Sequence, residues 1–264
     1  MLWSVKSMPL TKSDEYKLLH LLLDIGQMML CSGGEVHRVE NTLALMGRAY
    51  GAEEISVFVI TSSIVLTVKF SDGNEITETR RVLGSGSNNL QRLEALNDLS
   101  RRCCSKPLPV SDLQKAVKQC DRPINKCRFF FGAALAAGSF AIFFGGNVFD
   151  GIFAALFGIV ICFMSSGFSH ICPNNIVFNI ISSLILGIGI CICAKTIPII
   201  HADKIMIGDI MLLIPGIAMT NSIRDILVGD TISGIMRIIE SMLWAAGLAV
   251  GFMLSIWLVG GISI

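Results

Sequence analysis

The chain has 264 residues, of which 53% are hydrophobic and only 16% are charged, and its mean hydropathy is +0.68. Soluble domains carry roughly 25% charged residues, so this composition indicates a membrane protein and excludes an ordinary soluble one. Residues 1–128 contain 17 basic and 14 acidic side chains, against four and six in residues 129–264, so neither half is the strongly basic domain typical of a nucleic-acid partner.

The first half is predicted to be an α+β domain covering residues 1–125. Apolar residues at helical spacing predict helices from Asp14 to Leu30 and from Val36 to Tyr50, separated by Ser32-Gly33-Gly34. β-Branched runs between residues 54 and 70, a turn at 71–74 and an alternating segment after it predict three antiparallel strands. Two further helices are expected, at 88–102 and from a capping box at Ser111 and Gln114.

The nine cysteines and the N-terminus both indicate a cytosolic location for this domain. The cysteines include no paired C-x-x-C of the kind that holds zinc, so we expect reduced thiols. The opening residues lack the apolar core and small-residue cleavage site of a signal peptide. We therefore expect the first half to stay in the cytoplasm, with no metal and no cofactor.

Five transmembrane helices are predicted in residues 126–264, since a helix needs about 20 apolar residues to cross the hydrocarbon core. They are expected at about residues 129–149, 151–168, 176–194, 205–228 and 241–262. Basic residues from Lys115 to Arg128 place the start of the first helix in the cytoplasm, and five crossings then place the C-terminus outside. Glycines four apart in 247–251 are expected to pack helices within one chain.

The fourth predicted span contains polar residues that are costly in lipid. Pro215 cannot donate a backbone hydrogen bond, so Pro215 and Gly216 are expected to break the helix near the middle of the membrane. Asn221, Arg224 and Asp225 follow at i, i+3 and i+4 and share one side of the second half-helix. A half-helix N-terminus with a nearby guanidinium is suited to a substrate carboxylate, so we predict substrate binding by these five residues.

A structural interpretation of the same residues remains open. Arg224, Asp225 and Asp230 could form a salt-bridge cluster at the cytoplasmic mouth, where long basic side chains reach the interface. Arg237 and Glu240, at i and i+3, are expected to form an ion pair. Asp230, Arg237 and Glu240 are therefore assigned to a polar cluster that serves either ion coupling or structure.

The first half has its own polar stretch, residues 31–42. Glu35, Arg38 and Glu40 lie there, and His37 stands three residues before Glu40. A catalytic or metal site is possible at this spacing, but acids in the first turn of a helix are also explained by the helix dipole. No nucleophile elbow, Walker loop or H-E-x-x-H motif occurs in the sequence, and the protein is not expected to be an enzyme.

Two stretches, 33–51 and 215–240, resemble the signature regions of the threonine/serine exporter family. The second follows the pattern P-G-x(4)-N-x-x-R-D-x(3)-G-D and then G-x-x-R-x-x-E, from Pro215 to Glu240. The first matches at Gly34, Glu35, Arg38, Val39, Glu40 and Thr42, with His37 where the family pattern has an aromatic residue. The resemblance covers nearly the whole chain.

The resemblance implies a secondary exporter of the cell inner membrane. Fused family members have about twice as many spans, so this chain resembles the larger subunit of the split form, whose smaller all-membrane partner is a separate protein. Implied substrates are threonine, serine and dicarboxylates such as succinate, exported with a coupling proton or sodium ion, and an oligomer is expected. The alternative is a membrane-anchored enzyme or sensor that acts through residues 1–125.

Overall fold

The computed structural model describes residues 11–71, 73–82, 88–121, 125–168 and 174–260, and most of these residues are helical. The elements in chain order are α1 (Lys12–Cys31), α2 (Val36–Ala49), β1 (Ala52–Ile60), β2 (Ser63–Phe70), β3 (Glu75–Arg81), α3 (Leu90–Ser105), α4 (Val110–Cys120), α5 (Lys126–Phe143), α6 (Val148–Phe168), α7 (Asn175–Thr196), α8 (Ala202–Leu213), α9 (Gly216–Val228) and α10 (Thr231–Gly260).

The chain divides into two compact units. The N-terminal unit consists of residues 1–123 together with Ile217–Ile238, and the helical unit consists of residues 124–216 together with 239–264. Residues 217–238 come from the apolar half of the sequence, but by their contacts they belong to the N-terminal unit.

The turn between α1 and α2 depends on two glycines. α1 begins after Thr11, whose side-chain oxygen accepts a hydrogen bond from the Asp14 amide. After α1 ends, Gly33 has a φ of +89°, a conformation that favours glycine. A Cβ atom on Gly34 would lie 2.8 Å from the Met29 carbonyl oxygen. The predicted helix boundary at these residues is confirmed, and the turn is too tight for larger side chains.

The sheet has the order β1-β2-β3 and is antiparallel throughout, as the sequence predicts. Buried residues alternate along β2, which places one face against the core. Helices α1 and α2 cover that face, and the core contains Leu18, Leu22, Met29, Val39, Leu43, Met46, Ile64, Leu66, Val68, Leu96, Leu99 and Leu113.

The last helix of residues 1–123 starts differently from the prediction. α4 begins at Val110 after an N-cap at Pro109, and no side chain caps it. The predicted capping box at Ser111 and Gln114 is therefore wrong, because Ser111 already lies within the first turn. α3 does have a side-chain cap, since the Asn89 oxygen accepts a hydrogen bond from the Arg92 amide at 3.0 Å.

The helices able to cross a membrane are α5, α6, α7 and α10. By length and composition there are four such helices among the described residues, or five if α8 and α9 together count as one span. α8 has 12 residues, which corresponds to about 18 Å of helix, whereas the hydrocarbon core is about 30 Å thick. α8 alone is therefore too short to cross.

Small residues allow close helix packing inside the helical unit. A Cβ on Gly138 of α5 would lie 2.8 Å from the Gly151 carbonyl oxygen of α6, and one on Gly208 of α8 would lie 2.6 Å from the Ala137 carbonyl oxygen. Gly247 and Gly251 of α10 likewise face α7. The glycines of 247–251 thus pack helices within the chain, as expected.

The fourth predicted span contains the break that the sequence predicts at Pro215 and Gly216, whereas the fifth predicted helix differs from the observed one. In place of one span at 205–228 the chain forms α8 and α9, which are bent by 52°. The predicted helix 241–262 begins instead at Thr231, so Arg237 and Glu240 lie inside α10. Hydropathy locates the apolar part of a helix but not its polar extension, which is why the sequence pattern places this start too late.

Candidate functional site

The polar residues of the second signature region lie in a helical hairpin of the N-terminal unit. This α9–α10 hairpin, Ile217–Ile238, turns at Gly229, whose φ of +109° favours glycine. The Asp230 amide donates to the Asp225 carbonyl oxygen at 2.9 Å and closes the end of α9. A Cβ on Gly234 would lie 2.7 Å from the Ser222 carbonyl oxygen, so the two helices pack closely beyond the turn.

Asn221 and Arg224 bind the glycine turn that follows α1. The Asn221 amide nitrogen donates to the Gly33 carbonyl oxygen at 2.8 Å. Arg224 Nη1 lies 2.7 Å from Glu35 Oε1 and forms both a hydrogen bond and an ion pair. The Arg224 side chain is 63% exposed and that of Glu35 is 14% exposed. Arg224 therefore already holds one carboxylate while most of its side chain stays accessible.

Asp225 and Arg237 form a second, buried ion pair. Arg237 Nη1 lies 3.2 Å from Asp225 Oδ2, and the two side chains are 13% and 1% exposed. Arg237 Nη2 also donates to the Gly34 carbonyl oxygen at 3.5 Å. The expected ion pair between Arg237 and Glu240 is wrong, because Arg237 points to Asp225 and the exposed Glu240 has no ion pair or hydrogen bond with a described residue.

A third polar group joins α2 to the turn of the hairpin. His37, Glu40 and Asp230 each bring one ligand-type atom within 4.8 Å of the others. Glu40 Oε1 accepts a hydrogen bond from the Val59 amide of β1 at 2.9 Å, and His37 Nε2 lies 2.8 Å from Asn41 Nδ2. Burial raises the pKa of Glu40, and the nearby Asp230 raises it further, while the Val59 hydrogen bond lowers it. These nitrogen and oxygen atoms are the types that bind divalent metals.

The remaining residues of the predicted site lie apart from these contacts. Arg38 is exposed and forms no ion pair or hydrogen bond with any described residue. Pro215 is buried at the break between α8 and α9, and Gly216 is exposed as the first residue of α9. The structure thus brings together Glu35, Asn221, Arg224, Asp225 and Arg237, and separately Glu40 and Asp230.

Asp209 in α8 is a buried acid that no sequence motif singles out. Its side chain is 0% exposed, and neither carboxylate oxygen has a hydrogen-bond partner among the described residues. Asp150, at the start of α6, is equally buried, but it accepts hydrogen bonds from the Asn147 and His201 amides at 2.8 and 2.7 Å. In the sequence, Asp209 stands out only as a single acidic residue inside the apolar run from Ile205 to Leu213.

Comparison with known proteins places this arrangement in a family. No curated protein and no solved structure matches the chain. The family model ThrE, described as "Putative threonine/serine exporter", matches residues 20–259, a stretch that includes both signature regions and the contacts between them. Because the match extends over most of its length, the chain belongs to the threonine/serine exporter family.

Proposed function

We propose that this protein is a subunit of a secondary exporter that moves small carboxylate-bearing metabolites out of the cytoplasm. The candidate substrates are threonine, serine and dicarboxylates such as succinate. The observation that carries the proposal is the pairing of exposed Arg224 with the Glu35 carboxylate. A guanidinium has five N–H donors in a planar fork that suits carboxylates, so Arg224 can hold Glu35 and still offer donors to a substrate.

In this proposal Asn221 and Arg224 contact the substrate. The buried ion pair of Asp225 and Arg237 holds them in position. Asn221 lies one turn before Arg224 on α9, and its amide can recognise a hydroxyl or a second carboxylate. Asp225 is 1% exposed and paired with Arg237, so its role is to hold the hairpin against the glycine turn. Pro215 and Gly216 contribute the break that starts α9.

The proposed orientation has the N-terminal unit in the cytoplasm and the C-terminus outside the inner membrane. The loops before α6 and before α8 lie together, since the Asn147 side chain donates to the Ile199 carbonyl oxygen at 2.7 Å. α7 and α10 run parallel, because Asn179 donates to the Trp244 carbonyl oxygen near one end and Lys195 to that of Val259 near the other. These three contacts support a chain that crosses the membrane in alternating directions, starting from the basic cytoplasmic end of α5.

The proposed assembly includes a second, smaller membrane subunit of the same family, and the transport cycle uses an ion gradient. Four full-length candidate spans and one broken span are about half of what the fused members of the family contain. We propose that the partner supplies the other half, and that the complex is an oligomer.

The test measures efflux of labelled threonine, serine and succinate from loaded cells. Arg224→Ala and Asn221→Ala are each expected to reduce efflux about tenfold or more, because a hydrogen bond to a charged group contributes roughly 1.5–3 kcal/mol and 1.4 kcal/mol corresponds to a factor of ten. Arg101→Ala removes an exposed arginine of α3 and is the matched control, with unchanged efflux expected.

The rival function, an enzyme or sensor in the N-terminal unit, requires a different variant. A Glu35 variant would not separate the two functions, because Glu35 is paired with Arg224. Arg38 is suitable, since it is exposed and has no polar contact with a described residue. If Arg38→Ala abolished the cellular function while Arg224→Ala and Asn221→Ala left efflux intact, the exporter proposal would be overturned.

A further inference from the structure

Asp209 is the one acidic residue in the described part of the helical unit that is buried without a polar partner. Asp150 accepts three hydrogen bonds, two of them from backbone amides and one involving the His201 ring. Asp203 is exposed and lies 3.3 Å from Lys204, and Glu240 is exposed. Among the described acidic residues of the helical unit, Asp209 alone combines zero exposure with two carboxylate oxygens that have no hydrogen-bond partner.

An unpartnered acid in this position needs a functional reason. An ionised carboxylate that is buried without a donor or a cation costs several kcal/mol, and acids within membrane helices are rare and typically belong to proton or ion pathways. An apolar residue would fill the same space more favourably. The charged and titratable side chains on the packed helices are Lys126, Cys127, Arg128, Asp150, Cys162, Cys191, Cys193, Lys195, Asp203 and Lys204. None of these described groups interacts with the Asp209 carboxyl.

A cavity of the helical unit is lined in part by residues of α8 that follow Asp209, although Asp209 itself does not line it. It has a volume of about 440 Å³, with Arg128 at the first turn of α5 and the end of α8 among its walls. Leu212 and Leu213 line it and stand three and four residues after Asp209, so they lie on the same side of α8 about one helical turn, roughly 5 Å, away. Ala136 of α5 also lines it, and the next residue, Ala137, packs against Gly208.

The chemistry at Asp209 suits a proton better than a metal cation. Hard cations such as Ca²⁺ and Mg²⁺ are bound by several oxygen ligands at once. The Asp209 carboxyl has no hydrogen-bond partner among the described residues, and among those residues it belongs to no group of three or more His, Cys, Asp or Glu side chains that could hold a metal ion. A single carboxyl can take up one proton without such a shell.

We propose that Asp209 is the proton-binding carboxyl that couples substrate export to a proton gradient. The proton binds to a carboxylate oxygen of Asp209 from the outer side and leaves it to water of the cavity at the Arg128 end, so that one carboxylate becomes one carboxylic acid and is then regenerated. This inference rests on the proposed exporter function and adds the residue that carries the coupling proton.

The experiment uses inside-out membrane vesicles from cells that contain the full chain together with the proposed smaller membrane subunit. Two rates are compared for labelled threonine, serine and succinate: uptake driven by a pH gradient, and exchange of labelled for unlabelled substrate at equal pH. Asp209→Asn is expected to reduce gradient-driven uptake at least tenfold and to abolish its pH dependence, while exchange continues. Asp209→Glu should retain a pH dependence with a shifted midpoint, and the exposed Asp203→Asn is the matched control with both rates unchanged.

The other possible results contradict the inference, and each can be distinguished from the rest. Full gradient-driven uptake by Asp209→Asn would overturn it, as would wild-type uptake that follows a sodium gradient instead of the pH gradient. Loss of exchange together with uptake in Asp209→Asn, at an unchanged melting temperature, would assign Asp209 to substrate movement and overturn the coupling role. Absence of both rates in the wild-type vesicles would instead refute the exporter function.

Discussion

The Arg237 side chain connects three parts of the chain that are distant in sequence. Arg237 lies in α10. Its guanidinium forms an ion pair with Asp225 of α9 and donates a hydrogen bond to the Gly34 carbonyl oxygen of the glycine turn. Because both charges are buried, loss of either one leaves the other without compensation. The stability of the hairpin should therefore depend on this pair much more than on any exposed ion pair.

Replacing Arg237 with alanine is expected to destabilise the N-terminal unit by about 3–5 kcal/mol, as is typical when one partner of a buried pair is removed. The double variant Asp225→Asn, Arg237→Gln should be less destabilised than Arg237→Ala, since it removes both charges. The measurement is the thermal midpoint in detergent. Arg80→Ala is the control, because the more exposed pair of Arg80 with Asp24 should contribute about 0–1 kcal/mol.

Glu40 allows a prediction about pH. Its pKa is raised in the folded protein by burial and by Asp230, so folding favours the protonated carboxyl, and its contribution to stability is lost as the pH rises through the folded pKa. Glu40→Gln keeps an oxygen for the Val59 amide and carries no charge. The melting temperature of Glu40→Gln should thus exceed that of the wild type by a margin that grows with pH from about 4, near the ordinary value for glutamate.

Glu40→Ala is the matched comparison for Glu40→Gln. It leaves the Val59 amide of β1 without its acceptor, which should cost about 1–3 kcal/mol. A pH-independent difference between Glu40→Gln and the wild type would contradict the electrostatic explanation.

The sequence singles out the polar side chains of the hairpin but not the residues that they contact. Spacing along one helix predicts that Asn221, Arg224 and Asp225 share a side, because local geometry determines it. No local rule links Arg224 to Glu35, since the two residues stand far apart in the chain and meet only through the fold. Asp209 is not predicted from the sequence because it belongs to no motif, and its proposed role rests on the absence of a hydrogen-bond partner among the described residues.

At the scale of elements, α7 and α10 pack through small residues. A Cβ on Gly251 would lie 1.9 Å from Ser183 Oγ and 2.6 Å from the Ile180 carbonyl oxygen, and one on Gly187 would lie 2.0 Å from Ser255 Oγ. The backbone oxygen of Ile180 cannot move aside as a flexible side chain would. Any larger residue at Gly251 must separate the two helices.

Gly251→Val is expected to lower the stability of the helical unit by about 1–3 kcal/mol, the usual cost of overpacking. Gly167→Val in α6 is the control, since nothing lies within 4 Å of a Cβ placed there. The recovery of monodisperse protein after heating in detergent measures the difference. Equal losses in both variants would show that helix propensity, and not packing, determines the effect.

The sequence predicts helices and strands correctly where a single feature, such as an uncharged run or an alternating pattern, determines the structure. α5, α6 and α7 follow from uncharged runs of sufficient length, and the strands follow from alternation and turn residues. The start of α10 at Thr231 was not predicted because Arg237 and Glu240 end the apolar run, although neither ends a helix. The break at Pro215 was predicted, since proline removes a backbone donor whatever surrounds it.

At the scale of the whole molecule, the proposed orientation leads to a labelling experiment. Ile199 is 51% exposed in the loop before α8, and Lys106 is exposed after α3. A membrane-impermeant thiol reagent applied to intact cells should label Ile199→Cys, and it should label Lys106→Cys only after the cells are opened. The unsubstituted protein measures the background from its own cysteines, and the reverse pattern would refute the proposed orientation.

The discontinuous N-terminal unit has a consequence for biosynthesis. Residues 1–123 leave the ribosome first, yet the hairpin that binds Gly33, Gly34 and Glu35 follows only after the whole first segment of the helical unit. Residues 1–123 therefore remain without the hairpin until α5, α6 and α7, three candidate membrane spans, and α8 have been synthesised. The contacts of the hairpin with Gly33, Gly34 and Glu35 can therefore form only after those helices have been made.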